Sequence, residues 1–352
     1  MTTRTTPTRR APADEARLLA AARDGDGEAF ERLVGIYRRQ LHAHCYRMLG
    51  SLQDAEDALQ ETLLAAWRGL GGFEGRSSLR SWLYRIATNA CLRLAERRPR
   101  RVLSFERGPA RTDVHDLGEY REGDPTFLEP YPSDADPAAR YQQRENVELA
   151  FVAALQRLPA TQRAVLILRE VLAFSAAEVA EALDTTVASV NSALQRARKT
   201  VDHRIIEGTQ ARELQALGAR GRDELVTAFV EAWERSDVAA LLDMLAEDAR
   251  FAMPPFPAWF RGRADIGRFL AERAFAYRWR VRPLMASGQL AVACYRGDPD
   301  TGRFRLGALN VLTLRDGKIV EMDGFLDPAT HRWFGVPAEL TEETDEKFSG
   351  ER

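Results

Sequence analysis

The chain has 352 residues, of which 45% are hydrophobic and 29% are charged, a balance typical of a soluble globular protein with buried cores. Its length exceeds that of one ordinary domain, so two or three domains are expected. The net charge of −2 does not by itself indicate a nucleic-acid partner, and no stretch approaches the roughly 18–20 apolar residues of a membrane span, so no membrane partner is expected.

The first 101 residues comprise a polar leader and a helical domain. Residues 1–16 contain several arginines but no apolar signal-peptide core, which predicts a disordered leader. From residue 17 to 101, apolar residues recur at spacings of three and four, with a break at Gly25–Gly27. The stretch Asp54–Leu70 is amphipathic, and its acidic face holds Asp54, Asp57 and Glu61.

A short polar loop and one more helix complete this first domain. The loop is Glu74–Ser78, and the helix is predicted over Leu79–Arg97, where aromatic side chains interleave with arginine. Aromatic rings stack on unpaired bases and guanidinium groups pair with phosphates, so the pattern suits single-stranded nucleic acid. The alternative is that Trp82 and its apolar neighbours are simply core residues.

Residues 102–136 have the composition of an acidic, proline-rich linker, with three arginines against nine acidic residues. Such a chain either is a passive tether or mimics nucleic acid. Within it, Phe127–Pro132 (FLEPYP) concentrates apolar and aromatic residues, so this part is expected to be ordered against a surface.

A helix-turn-helix is predicted inside a second helical domain, residues 137–215. Ser175 and Glu178 form a capping box at the start of its first helix. Asp184 lies where the chain must reverse, and Thr186 can cap the second helix. The apolar face of that second helix is predicted to contain Val187, Val190, Leu194 and Ala197, and its other face is polar and basic. This pattern predicts contact with duplex DNA, and a helical hairpin with a solvated charged face is the alternative.

The last third of the chain, residues 222–340, predicts an α+β domain with helices first and an antiparallel sheet afterwards. Residues 341–352 are expected to be a disordered tail. Asp316-Gly317 between two strand-like runs indicates a hairpin. The predicted helices and strands are Asp223–Arg235, Val238–Ala246, Ala264–Arg273, Trp279–Leu284, Gln289–Tyr295, Phe304–Leu314 and Lys318–Phe325.

Neither a metal site nor a disulfide framework is expected. Cys45, Cys91 and Cys294 are odd in number and widely spaced, which favours a reducing cytoplasm. His42 and His44 are two positions apart on a predicted helix and would diverge, so they and Cys45 are expected to have a structural role.

Three segments, in this order and spacing, resemble the extracytoplasmic-function (ECF) group of bacterial sigma-70-type initiation factors: DAEDALQETLLAAW, FEGRSSLRSWLYRIATNACL and the helix-turn-helix. The resemblance covers Leu18 to about Ile206. It implies a multidomain fold in which two all-α sigma domains, the second a helix-turn-helix domain, are joined by the acidic linker. It also implies an alternative sigma factor that binds core RNA polymerase and directs promoter-specific transcription without a cofactor.

The same resemblance implies roles for three groups of residues. The clamp helices of the polymerase β′ subunit would be bound by the acidic face, which consists of Asp54, Glu56, Asp57, Gln60 and Glu61. The helix-turn-helix domain would contact the β flap. Recognition and melting of the −10 element would fall to Phe73, Glu74, Gly75, Arg76, Ser77, Ser78, Arg80, Trp82, Arg85 and Asn89. Recognition of the −35 element would fall to Thr186, Ser189, Asn191, Ser192, Gln195, Arg196, Arg198 and Lys199. Many members carry basic residues where this chain has Asn191 and Ala193.

Residues 222–340 resemble the SnoaL-like branch of the cone-shaped α+β fold that ketosteroid isomerases and polyketide cyclases share, and FLEPYP fits sigma factors with such a tail. The resemblance implies a pocket, and a small ligand or an anti-sigma protein as candidate partner. An isomerase would need a carboxylate base with paired donors, and the spacing of Asp243, Tyr277, Tyr295, Asn310, Asp323 and His331 singles out none. Modulation of the sigma factor is therefore expected rather than enzymatic activity. A stand-alone DNA-binding regulator and a fused isomerase are the alternatives.

Overall fold

The computed structural model describes residues 12–119, 126–133, 147–201 and 209–340. Residues 1–11 and the tail after residue 340 lie outside the described residues. The leader predicted over residues 1–16 is wrong in its last five positions, because the first helix begins at Pro12.

The first helical unit consists of five α-helices held by local caps. Asp26 accepts hydrogen bonds from two amides at the start of the second helix, and Ser51 and Ser78 cap the fourth and fifth. The last helix ends two residues before the predicted boundary. The helices are α1 Pro12–Arg23, α2 Gly27–Gly35, α3 Arg38–Leu49, α4 Leu52–Gly69 and α5 Leu79–Ala95.

The second helical unit contains the helix-turn-helix. Its first two helices precede a π-helical turn, Ile167–Val171. The α-helices in its described part, residues 147–201, are α6 Leu149–Gln156, α7 Ala160–Leu166, α8 Ala176–Ala182 and α9 Val187–Thr200.

The C-terminal unit wraps helices around one face of a curved sheet. Gly218 kinks its first helix with a φ of 69°. The helices are α10 Thr209–Glu234, α11 Val238–Met244, α12 Gly262–Glu272 and α13 Pro328–His331. The strands are β1 Leu245–Ala252, β2 Trp259–Arg261, β3 Trp279–Ala286, β4 Gln289–Gly297, β5 Phe304–Arg315, β6 Lys318–Phe325 and β7 Glu339–Leu340.

The sheet has the strand order β2-β1-β6-β5-β4-β3, with β7 paired to β5. The predicted antiparallel sheet is therefore partly wrong, because β1 and β6 run parallel. Strand β1 starts at Leu245, where the sequence pattern predicted the end of a helix. Strands β3 to β6 lie where the sequence predicts them, and β3, β4 and β5 extend one or two residues further.

The two faces of the sheet belong to different cores. The inner face packs against α10, α11 and α12 and forms a core with Phe229, Trp233 and Phe269. The outer face, including Ala293 and Leu309, joins a continuous core with both helical units. The C-terminal unit is therefore docked on the helical units through the back of its sheet.

Candidate nucleic-acid interface

The helix-turn-helix has the local geometry that its sequence predicts. The Ser175 hydroxyl accepts from the Glu178 amide at 3.2 Å, and the Ser175 amide donates to the Glu178 carboxylate at 2.8 Å. Asp184 adopts a left-handed φ of 48° at the reversal. Thr186 accepts from the Ser189 amide at 3.1 Å and so caps α9. These contacts define the start of each helix and the tight turn between them.

One face of α9 presents polar and basic side chains to solvent. All eight residues proposed for the −35 element are exposed: Thr186, Ser189, Asn191, Ser192, Gln195, Arg196, Arg198 and Lys199. One expectation for the apolar face is wrong, because Val187 in the first turn of α9 is 44% exposed. Ala193, three positions after Val190, is buried on this face as well. Arg198 pairs with Glu170 in the π-helical turn Ile167–Val171.

The loop before α5 is exposed at its tip and anchored at its base. Gly75 has a φ of 74°, and Arg76 pairs with Glu74 at 2.6 Å. Phe73, one of the residues implied for −10 recognition, is buried, because its ring packs 5.0 Å from that of Trp82. Trp82 is half-buried, and its ring lies so close to Gly69 that a Cβ atom at that position would be 3.3 Å from it. The aromatic pair therefore supports the loop from beneath, and the polar tip remains exposed.

This loop and the helix-turn-helix meet in one groove of about 260 Å³. The Ser81 hydroxyl of α5 donates to the Glu178 carboxylate of α8 at 3.2 Å. The Arg80 guanidinium lies 4.5 Å above the Phe174 ring and donates to the Leu172 carbonyl. The amide and hydroxyl of Ser175 lower the pKa of Glu178, so this carboxylate is charged beside the loop at neutral pH. The two helical units are thus closed against each other.

Arg163 forms a second set of hydrogen bonds between the helical units. Its buried guanidinium donates to the Met48 carbonyl at the end of α3 and to the Leu155 and Leu158 carbonyls of its own unit. Burial lowers the pKa of Arg163 to about 10, so it remains charged at neutral pH. Sequence reasoning missed this residue, because a single arginine in an amphipathic helix gives no signal of burial.

The acidic face of α4 differs from the predicted one at its first residue. Glu56 and Asp57 are half-buried and Gln60 and Glu61 are exposed, but Asp54 is only 5% exposed. Arg101 donates to the Asp54 carboxylate at 2.9 Å, and Arg98 lies 3.3 Å away. Asp54 is therefore a buried ion-pair partner in this arrangement.

We expect Asp54→Ala to lower the free energy of unfolding by about 3 kcal/mol, because it leaves Arg101 partly uncompensated in a buried site. Asp57→Ala is the matched control and should cost about 0.5 kcal/mol or less, since its side chain is half-exposed and accepts from Gln53 of the same helix. Urea denaturation followed by circular dichroism measures both. Equal effects would contradict the structural role of Asp54.

The segment Phe127–Pro132 is ordered, as its composition predicts. Glu129 accepts from the Leu52 amide at 2.7 Å, the Ser51 hydroxyl at 3.2 Å and Arg101 at 2.9 Å. Burial raises the pKa of Glu129, and Arg101 opposes that effect. This carboxylate from the linker therefore caps the N-terminus of α4. Sequence reasoning missed this contact, because only the apolar residues on either side of Glu129 indicated that the segment is ordered.

The same segment is held by the β3–β4 hairpin of the C-terminal unit. The Tyr131 amide donates to the Ser287 hydroxyl at 2.9 Å, and the Ser287 amide donates to the Tyr131 carbonyl at 2.6 Å. Ser133 adds a hydroxyl that accepts from the Gly288 amide at 2.9 Å. Pro132 forms a β-bridge with Ala286. The linker is thus clamped between α4 and the C-terminal sheet.

The six residues considered for catalysis do not converge. Only Tyr277 and Asn310 line the cavity of the C-terminal unit. Tyr295 belongs to the core shared with the helical units, and His331 contacts the Phe325 carbonyl. Asp323 is buried in β6 between the inward-facing Met322 and Gly324, and burial raises its pKa. Asp243 is exposed.

The pattern His42-x-His44-Cys45 also separates in space. His42 hydrogen-bonds the Tyr131 hydroxyl through Nδ1 at 2.9 Å, whereas His44 Nε2 contacts the Thr88 hydroxyl at 2.9 Å. Burial lowers the pKa of His44 to about 3. Both histidines therefore link α3 to neighbouring segments. Among the described residues, no cluster of ligands could hold a metal ion, and no helix is long and apolar enough to cross a membrane.

Three family models match the chain in the order of its units. Sigma-70 region 2 matches residues 33–101 and Sigma-70 region 4 matches residues 148–201. A SnoaL-like domain matches residues 226–322.

Individual relatives agree with these matches. The ECF RNA polymerase sigma factor SigG of Mycobacterium tuberculosis is 41% identical over 340 residues, which cover 94% of this chain and 87% of that protein. The RNA polymerase sigma-H factor of Pseudomonas aeruginosa is 32% identical over 187 residues, 53% of this chain and 91% of that protein. The crystal structure of the M. tuberculosis ECF sigma factor SigJ has the same fold, with a TM-score of 0.57 at 22% identity, covering 86% of this chain and 98% of that one.

Proposed function

We propose that this chain, which belongs to the ECF sigma factors, is described in a closed state that must open at a promoter. Sigma factors of this family bind core RNA polymerase and promoter DNA. The chain is an alternative sigma factor with a C-terminal SnoaL-like domain. The observation that carries the proposal is the contact of the −10 loop region with the helix-turn-helix through Ser81 and Glu178.

Distance supports this proposal. The −10 and −35 elements lie about 25 base pairs apart, which is about 85 Å at ~3.4 Å per base pair. Yet α5 and α8 are within hydrogen-bonding distance, and α8 is joined to α9 by a tight turn. One unit cannot read the −10 element while the other reads the −35 element in this arrangement. Promoter recognition therefore requires that the Arg80, Ser81 and Arg163 contacts break.

The exposed part of α4 is the proposed docking surface for the clamp helices of the β′ subunit. Glu56, Asp57, Gln60 and Glu61 form a contiguous polar surface on this helix, and Asp54 supports it from within. A carboxylate surface suits a basic partner through complementary charge. The helix-turn-helix unit would meet the β flap.

Reversing one charge on this surface tests the docking assignment. We expect Asp57→Lys to weaken binding to core polymerase by about 100-fold or more, since a like-charge contact replaces an attractive one. Glu31→Lys, an exposed charge reversal on α2, is the matched control. Fluorescence anisotropy with labelled sigma factor measures affinity, and circular dichroism checks the fold. Wild-type affinity of the Asp57 variant would refute the docking surface.

Recognition of the −10 and −35 elements is assigned to the exposed parts of the loop before α5 and of α9. We place −10 recognition on the polar tip, Glu74–Ser78, with Arg85 and Asn89 beside it, and we give Phe73 and Trp82 a supporting role until the units separate. The exposed face of α9 would read the −35 element, where Asn191 can pair with an adenine edge and Arg198 and Lys199 with phosphates. Arg198 would first leave Glu170.

The C-terminal domain is proposed to modulate opening through the linker. It holds Tyr131 and Ser133 through main-chain and hydroxyl hydrogen bonds. The family resemblance implies that the linker enters the polymerase cleft, and in that case docking on the hairpin and entry into the cleft compete for one segment. No catalytic step is proposed for this domain.

A further inference from the structure

The C-terminal domain contains a cavity of about 340 Å³ between the inner face of its sheet and helices α10 and α12. Its walls are apolar and aromatic, with Trp233, Phe251, Phe269 and Ala308 among them. The volume lies within the range of roughly 300–1,000 Å³ typical of small-molecule sites. The indole N–H of Trp233 is buried and meets no acceptor among the described residues. The size and walls suit an apolar body of one or two rings.

The mouth of this cavity is positively charged. Arg273, Arg296 and Arg305 line it and are exposed. Among the described residues that line the cavity there is no Asp or Glu. Outside the lining, Glu339 lies 3.7 Å from the Arg305 Nε and also pairs with Arg303 at 3.1 Å, and Asp298 is close enough to Arg305 for their charges to interact. The charge of the mouth is therefore only partly compensated.

Two of these arginines lie side by side on neighbouring strands. Arg296 of β4 and Arg305 of β5 are register partners, and like charges in such positions are destabilising. The Arg296 guanidinium lies 4.7 Å above the Tyr277 ring, which orients it at the rim. An anion between the two guanidinium groups would relieve the repulsion and accept paired hydrogen bonds from them.

We propose that this cavity binds an organic anion with an apolar ring body and one carboxylate, sulfonate or phosphate group. The body lies against Trp233, Phe251 and Phe269. The anionic group lies between Arg296 and Arg305.

The linker supplies one wall of the same site. Residues 108–118, here called the linker strap, lie along the C-terminal domain. The Arg111 amide donates to the Trp259 carbonyl at 2.8 Å, and the Trp259 indole donates to the Gly108 carbonyl at 2.9 Å. Val114 is buried in the domain core, and Leu117 lines the cavity. A ligand that contacts Leu117 therefore stabilises the docked strap, because it binds the docked state better.

The test compares two probes that differ in one charged group. They are 8-anilinonaphthalene-1-sulfonate and N-phenyl-1-naphthylamine, which has the same rings without the sulfonate, titrated into the full-length protein by fluorescence. We expect one sulfonate probe per chain. In the double variant Arg296→Gln/Arg305→Gln, its affinity should fall about 10- to 100-fold, since two charge-assisted hydrogen bonds are lost. The affinity of the neutral probe should stay the same, which also shows that the cavity is intact. Arg235→Gln, a surface arginine on the same domain, is the control.

Hydrogen–deuterium exchange of the linker strap is the second readout. We expect the sulfonate probe to slow exchange of residues 108–118 in the wild type and not in the double variant. Unchanged sulfonate affinity in the double variant, or equal affinity of both probes for the wild type, would overturn the anion site. Tight, arginine-dependent binding without an effect on the strap would overturn the coupling. The coupling rests on the proposed role of the linker, whereas binding itself does not, so the two failures are distinguishable.

Discussion

A covalent tether between α5 and α8 is expected to abolish promoter-specific transcription. Ser81→Cys and Glu178→Cys place thiols at the positions that are hydrogen-bonded across the two helical units. The three native cysteines, Cys45, Cys91 and Cys294, are buried, so a bismaleimide reacts selectively with the introduced pair. If the closed state must open, run-off transcription with core polymerase falls to the level of the uncross-linked fraction.

A cleavable linker makes the same experiment reversible. With dithiobismaleimidoethane as the tether, reduction should restore transcription to the level of the double variant treated with N-ethylmaleimide. That monofunctional reagent modifies the same thiols without joining them, so it separates tethering from the loss of Ser81 and Glu178. Full transcription from the cross-linked protein would refute the requirement for opening. Inactivity that persists after reduction would indicate damage to the sites themselves.

The features that sequence predicted best are those fixed by neighbours in the chain. The Ser175–Glu178 capping box and the reversal at Asp184 depend on a few adjacent residues, and both have the predicted geometry. The hairpin at Asp316-Gly317 joins β5 and β6 as expected, since both turn residues have positive φ. The exposed face of α9 follows from helical periodicity.

The features that sequence missed depend on segments far apart in the chain. Asp54 and Asp57 belong to the same acidic stretch, but Asp54 is buried and pairs with Arg98 and Arg101, more than 40 residues further along the chain. Glu129 caps a helix that begins 77 residues earlier. Periodicity places Val187 on the apolar face of α9, yet this residue is exposed, because the pattern reports the angle around a helix and not what packs against each turn. The parallel pairing of β1 with β6 likewise depends on tertiary packing.

We expect Ser287→Glu to release Phe127–Pro132 from the C-terminal domain and to increase transcription at limiting core polymerase. Ser287 is fully buried, and the substitution removes the acceptor for the Tyr131 amide while it places a carboxylate against the linker. Burying an unpaired charge and losing this contact should favour the undocked segment by about 3 kcal/mol, a factor of ~100. Hydrogen–deuterium exchange of the peptide that spans residues 127–133 should be faster in this variant than in the wild type.

The β5–β6 hairpin provides a matched control for this substitution. Ser287-Gly288 and Asp316-Gly317 are both turns with positive φ at the two central residues, but Asp316 is exposed. Asp316→Glu therefore places the same side chain in the same kind of turn without touching the linker. Exchange in β5 and β6 should not change in either variant, which shows that the domain stays folded. If Ser287→Glu frees the linker and transcription does not rise, docking on the hairpin does not compete with entry into the polymerase cleft, and the C-terminal domain must act elsewhere.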